Sequence, residues 1–105
     1  MSKMPRQPHR VVGAPAVAEV AALFKLLGDP SRLTLLDLIS HGERCVSELA
    51  AEAGMSESAA SHQLRVLRTA RLVRVRREGR QVFYLLDDAH VVRLLKDAAA
   101  HAGEK

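Results

Sequence analysis

Two short clusters of metal-type side chains, Asp88-Ala89-His90 and His101-Ala102-Gly103-Glu104, are separated by ten residues. On an α-helix each residue advances about 100° and 1.5 Å, so the step from His90 to His101 returns to nearly the same face roughly 16 Å along the axis. One helix then shows two ligand pairs that cannot reach each other. A second copy packed antiparallel by a two-fold axis would set Asp88 and His90 of one chain opposite His101 and Glu104 of the other, giving two four-ligand sites per dimer. Two imidazoles and two carboxylates suit a borderline divalent ion, and tetrahedral zinc is the natural occupant. Nickel and cobalt are the alternatives, although nickel prefers a larger shell than four ligands.

The elements that must carry these residues follow from periodicity and stop signals. Val17, Val20, Leu23, Phe24 and Leu27 recur at helical spacing, which predicts a helix over about Pro15 to Leu27 with a left-handed stop at Gly28. Asp29-Pro30 is an N-cap followed by proline at the first helical position. A second helix is expected from there to about Ser40, burying Leu33, Leu36 and Ile39, with His41-Gly42 closing it. A short helix of about Val46 to Ala53 ends at Gly54, and Ser56 caps another of about Glu57 to Ala70 with Met55 as its hydrophobic staple. A short helix, a glycine turn and a second helix spell helix-turn-helix.

The second member of that pair concentrates Ser56, Ser58, Ser61, His62, Gln63 and Arg65 toward its N-terminal half, the end of a recognition helix that meets base edges and phosphates in a major groove. After Leu72 the period changes to two, with Val73, Val75, Val82 and Tyr84 flanking a turn at Glu78-Gly79. Arg74, Arg76, Arg77 and Arg80 make this hairpin the most basic spot in the chain. A basic hairpin directly after a helix-turn-helix is a wing that rests on phosphate or enters a minor groove. Finally, Asp87 or Asp88 caps a helix of about Ala89 to Ala102, whose Val91, Leu94, Leu95, Ala98 and Ala102 form a broad apolar face that a second copy would cover.

With 105 residues the chain makes one domain, marginal alone, and its net charge of +4 favours a polyanionic partner. Two phenylalanines, one tyrosine and no tryptophan weaken the case for a base-stacking single-strand binder. Cys45 is the single cysteine and has no intrachain disulfide partner; beside Val46 it reads as packing. No apolar run approaches the ~20 residues of a membrane span, and none resembles a secretion signal, so a cytoplasmic protein is expected. Neither a nucleophile-base pair nor a phosphate-binding glycine loop is present, and a closed four-ligand site leaves no position for substrate; an enzyme is not expected. The organisation expected is a basic N-terminal arm over residues 1–13 and a domain over residues 14–105, mainly α with a small β-hairpin, a homodimeric winged helix-turn-helix. A constitutive winged-helix DNA-binding protein with a structural metal site is the rival reading.

In this order the pieces resemble the ArsR/SmtB family of metal-responsive winged-helix repressors. The likeness runs from about Val17 to Glu104. It rests on Leu27-Gly28-Asp29-Pro30-Ser31-Arg32, on Cys45-Val46-Ser47-Glu48-Leu49-Ala50, on Ser58-Ala59-Ala60-Ser61-His62-Gln63-Leu64-Arg65-Val66-Leu67-Arg68, on Arg77-Glu78-Gly79-Arg80-Gln81-Val82-Phe83-Tyr84 and on the Asp88 to Glu104 constellation. The resemblance implies a homodimer that binds a pseudo-palindromic double-stranded operator and releases it when metal binds. It also implies that Asp88, His90, His101 and Glu104 match the family's terminal-helix metal site. A second family site uses Cys-Val-Cys before the turn. Here Ser47 replaces the second cysteine, leaving Cys45 and Glu48 as half of a second metal site, with His9 as a distant third ligand, and making arsenic, cadmium or lead sensing unexpected.

Overall fold

A computed structural model of the chain describes residues 11–103, so most of the expected arm, together with His9 and Glu104, lies outside the described residues. A single 3-10 turn at Ala14–Ala16 leads into α1 (Val17–Leu27). Then come α2 (Pro30–Ser40), β1 (Arg44–Cys45), α3 (Val46–Ala53), α4 (Glu57–Thr69), β2 (Val73–Glu78), β3 (Gln81–Leu86) and α5 (Ala89–His101). No helix among the described residues is long and apolar enough to cross a membrane.

The expected capping signals operate. Asp29 accepts a hydrogen bond from the Ser31 N–H at 3.3 Å, with Pro30 opening α2. Ser56 accepts from the Ala59 N–H at 3.0 Å and starts α4. Gly54 closes α3 at φ 68°, and the Met55 N–H reaches back to the Ala50 carbonyl at 3.0 Å, the bond pattern of a left-handed C-terminal cap. Gly28 departs from expectation, for its φ is −75°. A side chain there would meet the carbonyls of Lys25 and Phe24, in the last turn of α1 itself, at 3.4 Å, so the glycine lets the chain leave α1 close against its own last turn and is not a left-handed stop.

The end of α4 carries the left-handed cap that glycine was expected to mark elsewhere. Arg71 sits at φ 62°, the one non-glycine residue with positive φ among those described. The Leu72 N–H bonds the Leu67 carbonyl and the Arg71 N–H bonds the Arg68 carbonyl, both at 3.0 Å. Leu67 and Leu72 are both buried, the hydrophobic contact that accompanies this cap; it helps hold an arginine in a conformation costing about 1–2 kcal/mol.

The hairpin pairs Val73 with Leu86 and Glu78 with Gln81, so its tight turn is Gly79-Arg80, one residue beyond the expected position. Gly79 has φ 61°, the conformation that favours glycine at the first position of a two-residue loop. The sheet also has a third strand that was not expected. β1 pairs antiparallel with β3, Arg44 opposite Tyr84 and Cys45 opposite Phe83, giving the order β1-β3-β2. Because β1 runs directly into α3, the wing is anchored to the first helix of the helix-turn-helix.

The core lies where α2, α3, α4 and the sheet meet. Leu35, Leu36, Leu49, Leu64, Leu67 and Val73 are its largest fully buried side chains, each stabilising the fold by about 1.5–3 kcal/mol through removal of apolar surface from water. Leu33, expected inside, is exposed, and Leu35 takes its place on the buried side of α2. Helix α1 contributes Leu27 and α5 contributes Val91 as buried residues.

Candidate functional site

Helix α4 turns Ala60, Leu64 and Leu67 into the core, positions spaced i, i+4 and i+7 along one face. The opposite face is therefore free, and Ser58, Ser61, His62 and Arg65 are exposed on it, with Ser56 exposed at the cap. These are the small and hydrogen-bonding groups that sequence reasoning selected. Gln63 differs from them. It is half-buried, and its Oε1 accepts a hydrogen bond from Arg32 Nε at 2.9 Å.

The hairpin arginines also divide. Arg74, Arg77 and Arg80 are exposed. Arg76 donates to Glu43 through Nε at 3.0 Å and through Nη2, and to Glu78 through Nη1 at 2.6 Å, while its guanidinium lies over the Phe83 ring at 4.8 Å from the centroid. The Glu43 hydrogen bonds, then those of Glu78, hold this guanidinium charged far above even arginine's usual range. Arg76 thus ties the wing to the segment before β1 and differs from the freely presented cations expected there. A groove of about 400 Å³ opens between α4, the start of α3 and the hairpin, lined in part by Arg68, Arg77 and Arg80. Arg68, exposed in the last turn of α4, was not singled out by sequence reasoning, although its place on the face of the recognition helix beside the wing was available as a signal. Three guanidiniums around one concave surface suit a phosphate backbone.

At the start of the terminal helix, Asp88 caps α5: its Oδ1 accepts from the His90 N–H at 2.9 Å and from the Val91 N–H at 3.2 Å. His90 Nδ1 lies 3.7 Å from the same oxygen, with the two side chains 85% and 52% exposed. His101, the last residue of α5, is exposed as well. The structure therefore brings Asp88 and His90 together and leaves His101 at the far end of the same helix. Among the described residues no group of three or more His, Cys, Asp or Glu side chains converges. Of the four expected donors, a carboxylate and an imidazole stand side by side and open to solvent, donor types that suit a divalent ion and make half of a four-ligand set.

Cys45 and Glu48 also come together, as a helix cap. Glu48 Oε1 accepts from the Cys45 N–H at 3.0 Å and from the thiol at 3.2 Å, and the thiol lies 3.2 Å from the Ser47 hydroxyl. The Cys45 backbone N–H, then its thiol, hold the Glu48 carboxyl below its ordinary value of 4.5. Half-buried Cys45 thus has a local structural role as well as packing. His62 and His41 stand apart from both clusters, and His41 closes α2 with Nδ1 2.7 Å from the Asp37 carbonyl oxygen.

Comparison with known proteins identifies the family of this fold. Residues 29–75 match the family described as bacterial regulatory protein, arsR family. The chain is 47% identical to a Synechocystis transcriptional repressor SmtB homolog over 93% of its own length and 74% of the relative's. It is 43% identical to the Mycobacterium tuberculosis transcriptional regulator NmtR over 91% of its length and 80% of that protein's. The solution structure of the homodimeric winged helix-turn-helix DNA-binding domain of Mb0332 from Mycobacterium bovis superposes with a TM-score of 0.79 at 35% identity, covering 95% of this chain and 91% of that one. The chain belongs to the bacterial ArsR family, as a winged helix-turn-helix DNA-binding regulator of transcription and not an enzyme.

Proposed function

We propose that this protein is a metal-responsive ArsR/SmtB-type repressor that binds operator DNA as a homodimer and is released when zinc occupies sites on its terminal helices. The observation that carries the metal assignment is the exposed pairing of Asp88 with His90 at one end of α5 and the exposure of His101 at the other. Each helix offers two half-sites, and an antiparallel second copy completes both, with Asp88 and His90 meeting His101 and Glu104 of the partner subunit. Bound there, zinc supplies a cross-link between the two subunits.

The protein's own residues do the rest. In the DNA-bound dimer the two α4 helices enter successive major grooves roughly 34 Å apart, which places Ser58, Ser61, His62 and Arg65 at base edges and phosphates. Arg74, Arg77 and Arg80 hold the flanking backbone, with Arg68 added to them. Arg76 keeps the wing in place through Glu43. Locking the α5 pair favours a dimer in which the α4 helices no longer match that spacing, so DNA affinity falls. DNA must then weaken zinc binding by the same factor, typically about 5- to 150-fold for coupled sites. The Cys45 and Glu48 pair, with His9, remains a second metal site in outline only, because Ser47 stands where the second cysteine would be.

The test is fluorescence anisotropy on the duplex upstream of the protein's own gene, at fixed salt, in chelator and in zinc. Tight binding in chelator that zinc weakens several-fold or more supports the reading. Equal binding in both would leave a constitutive DNA-binding dimer, and release by nickel or cobalt alone would reassign the metal.

A further inference from the structure

The Arg32 side chain touches α1, the start of α2 and the middle of α4 at once. Its Nε donates to Gln63 Oε1 at 2.9 Å and its Nη1 donates to the Leu26 carbonyl at 3.2 Å. Nε also lies 3.5 Å from Asp29 Oδ2, and the Arg32 side chain is 25% exposed. Each contact answers a need of its own element. Leu26 belongs to the last turn of α1, where carbonyls lack intrahelical partners and a cation complements the helix dipole. Asp29 is the N-cap of α2 and offers Oδ2 to Arg32 while Oδ1 accepts from the Ser31 N–H. The Gln63 amide fixes where α4 sits relative to both.

We infer that Arg32 and Gln63 form a strut that positions the recognition helix against the α1–α2 corner, and that Gln63 acts by position and does not read a base. A guanidinium has five donors and no acceptor, so the amide must turn its oxygen toward Arg32. Bidentate reading of adenine needs both ends of a glutamine amide on the same base edge, and here one end is engaged within the protein. Base reading on this helix then falls to Ser58, Ser61, His62 and Arg65. This inference rests on the reading of α4 as the recognition helix.

The experiment is a double-mutant cycle with Arg32→Ala and Gln63→Ala, read by anisotropy on the duplex upstream of the gene and on a random-sequence duplex of equal length. Each single change is expected to weaken binding to the first duplex by roughly threefold or more, and the double change to be no worse than the larger single, as for residues acting as one unit. Binding to random DNA should stay within about twofold, since the phosphate-facing arginines are intact. Multiplicative losses, with Gln63→Ala relaxing preference at a single base pair, would overturn the strut and return Gln63 to base reading. Arg32→Lys keeps the charge and stem but loses the Nε donor, so it serves if the alanine variant fails to fold; a lysine variant binding like wild type would also overturn the strut.

A readout free of DNA separates this inference from the functional reading beneath it. The Arg32 Nε–H resonance in the ¹⁵N spectrum of the free protein should shift and exchange faster in Gln63→Ala. No change there overturns the strut alone. A wild-type protein that keeps that signal but binds both duplexes equally overturns the recognition reading, and with it the role given to Gln63.

Discussion

The helices of this molecule fall into two groups by how completely one chain can bury them. Helices α2, α3 and α4 place Leu35, Leu36, Ile39, Leu49, Ala50, Ala60, Leu64 and Leu67 in the core. Helix α5 is thirteen residues long and buries Val91, and α1 buries Leu27 across eleven. The DNA-reading unit is thus built within a single chain, whereas the helices that flank it leave apolar surface for a partner. The candidate metal ligands Asp88, His90 and His101 stand on the less finished group. A ligand shifts an equilibrium only through a difference in affinity between two states, and such states are close in energy where packing within the chain is least complete.

The largest effect should come from breaking the finished region. Leu64→Ala removes a side chain with no exposure and should cost about 2–5 kcal/mol, a large share of the stability of a small domain. Its melting temperature should drop at every protein concentration. Phe24→Lys, on the exposed face of α1, should instead weaken self-association, so that its loss of DNA binding fades as protein concentration rises. Sedimentation equilibrium with thermal melting checks both; a Phe24→Lys protein that dimerises like wild type would remove α1 from the subunit contact.

The candidate ligands of α5 come next. His101→Ala should leave DNA binding in chelator unchanged and abolish release by zinc, a loss of about 1–3 kcal/mol of coupling. A variant still released by zinc would take His101 out of the site. Because His101 is exposed and at the end of its helix, its replacement should leave the melting temperature of the metal-free protein near wild type, which the core change cannot do.

The same division explains what could be read from residues alone. The caps at Asp29, Ser56 and Asp88 and the stop at Gly54 are local devices, and each sits where its residue type predicts. The apolar periods give α2 through α5 within a residue or two. Strand β1 escaped because two residues, Arg44 and Cys45, carry no alternation; only their partners Tyr84 and Phe83 make them a strand. The cap at Arg71 escaped because its residue type gives no sign of positive φ, and the burial of Leu67 and Leu72 decides it. In the site, exposure of Ser58, Ser61, His62 and Arg65 follows from helical phase. The fates of Gln63 and Arg76 do not, since their partners Arg32 and Glu43 lie 31 and 33 residues away. Residue type and local period mark what a side chain can do, while long-range pairs decide which of them remain free to do it.

That distinction among the arginines is itself measurable. Arg80→Ala should weaken binding to specific and random DNA alike and reduce the slope of log affinity against log salt by roughly one unit. Arg76→Ala should weaken binding while leaving that slope near wild type, because Arg76 faces Glu43 and Glu78. Equal changes of slope for the two variants would return Arg76 to the phosphate contacts.

The smallest effect is expected at the start of α3, within the finished region. The Glu48 carboxyl is held below its ordinary value of 4.5 by the Cys45 N–H and thiol. A carboxylate favoured in the folded state adds stability above its unfolded value, and that stability is lost as pH falls through the folded one. Glu48→Gln keeps an acceptor for the Cys45 N–H but removes the charge at the helix N-terminus. Wild type should therefore melt slightly above Glu48→Gln at neutral pH, with the difference closing once the pH falls well below 4.5. A constant difference across that range would show that shape at the cap matters and charge does not. The comparison between regions adds a second condition. Helix α3 buries Leu49 and Ala50 within its own chain, so the difference between the two proteins should be the same at high and low protein concentration. A difference that grows as the dimer dissociates would mean that α3, too, depends on the partner subunit, and the boundary between finished and unfinished regions would move inward to the helix-turn-helix itself.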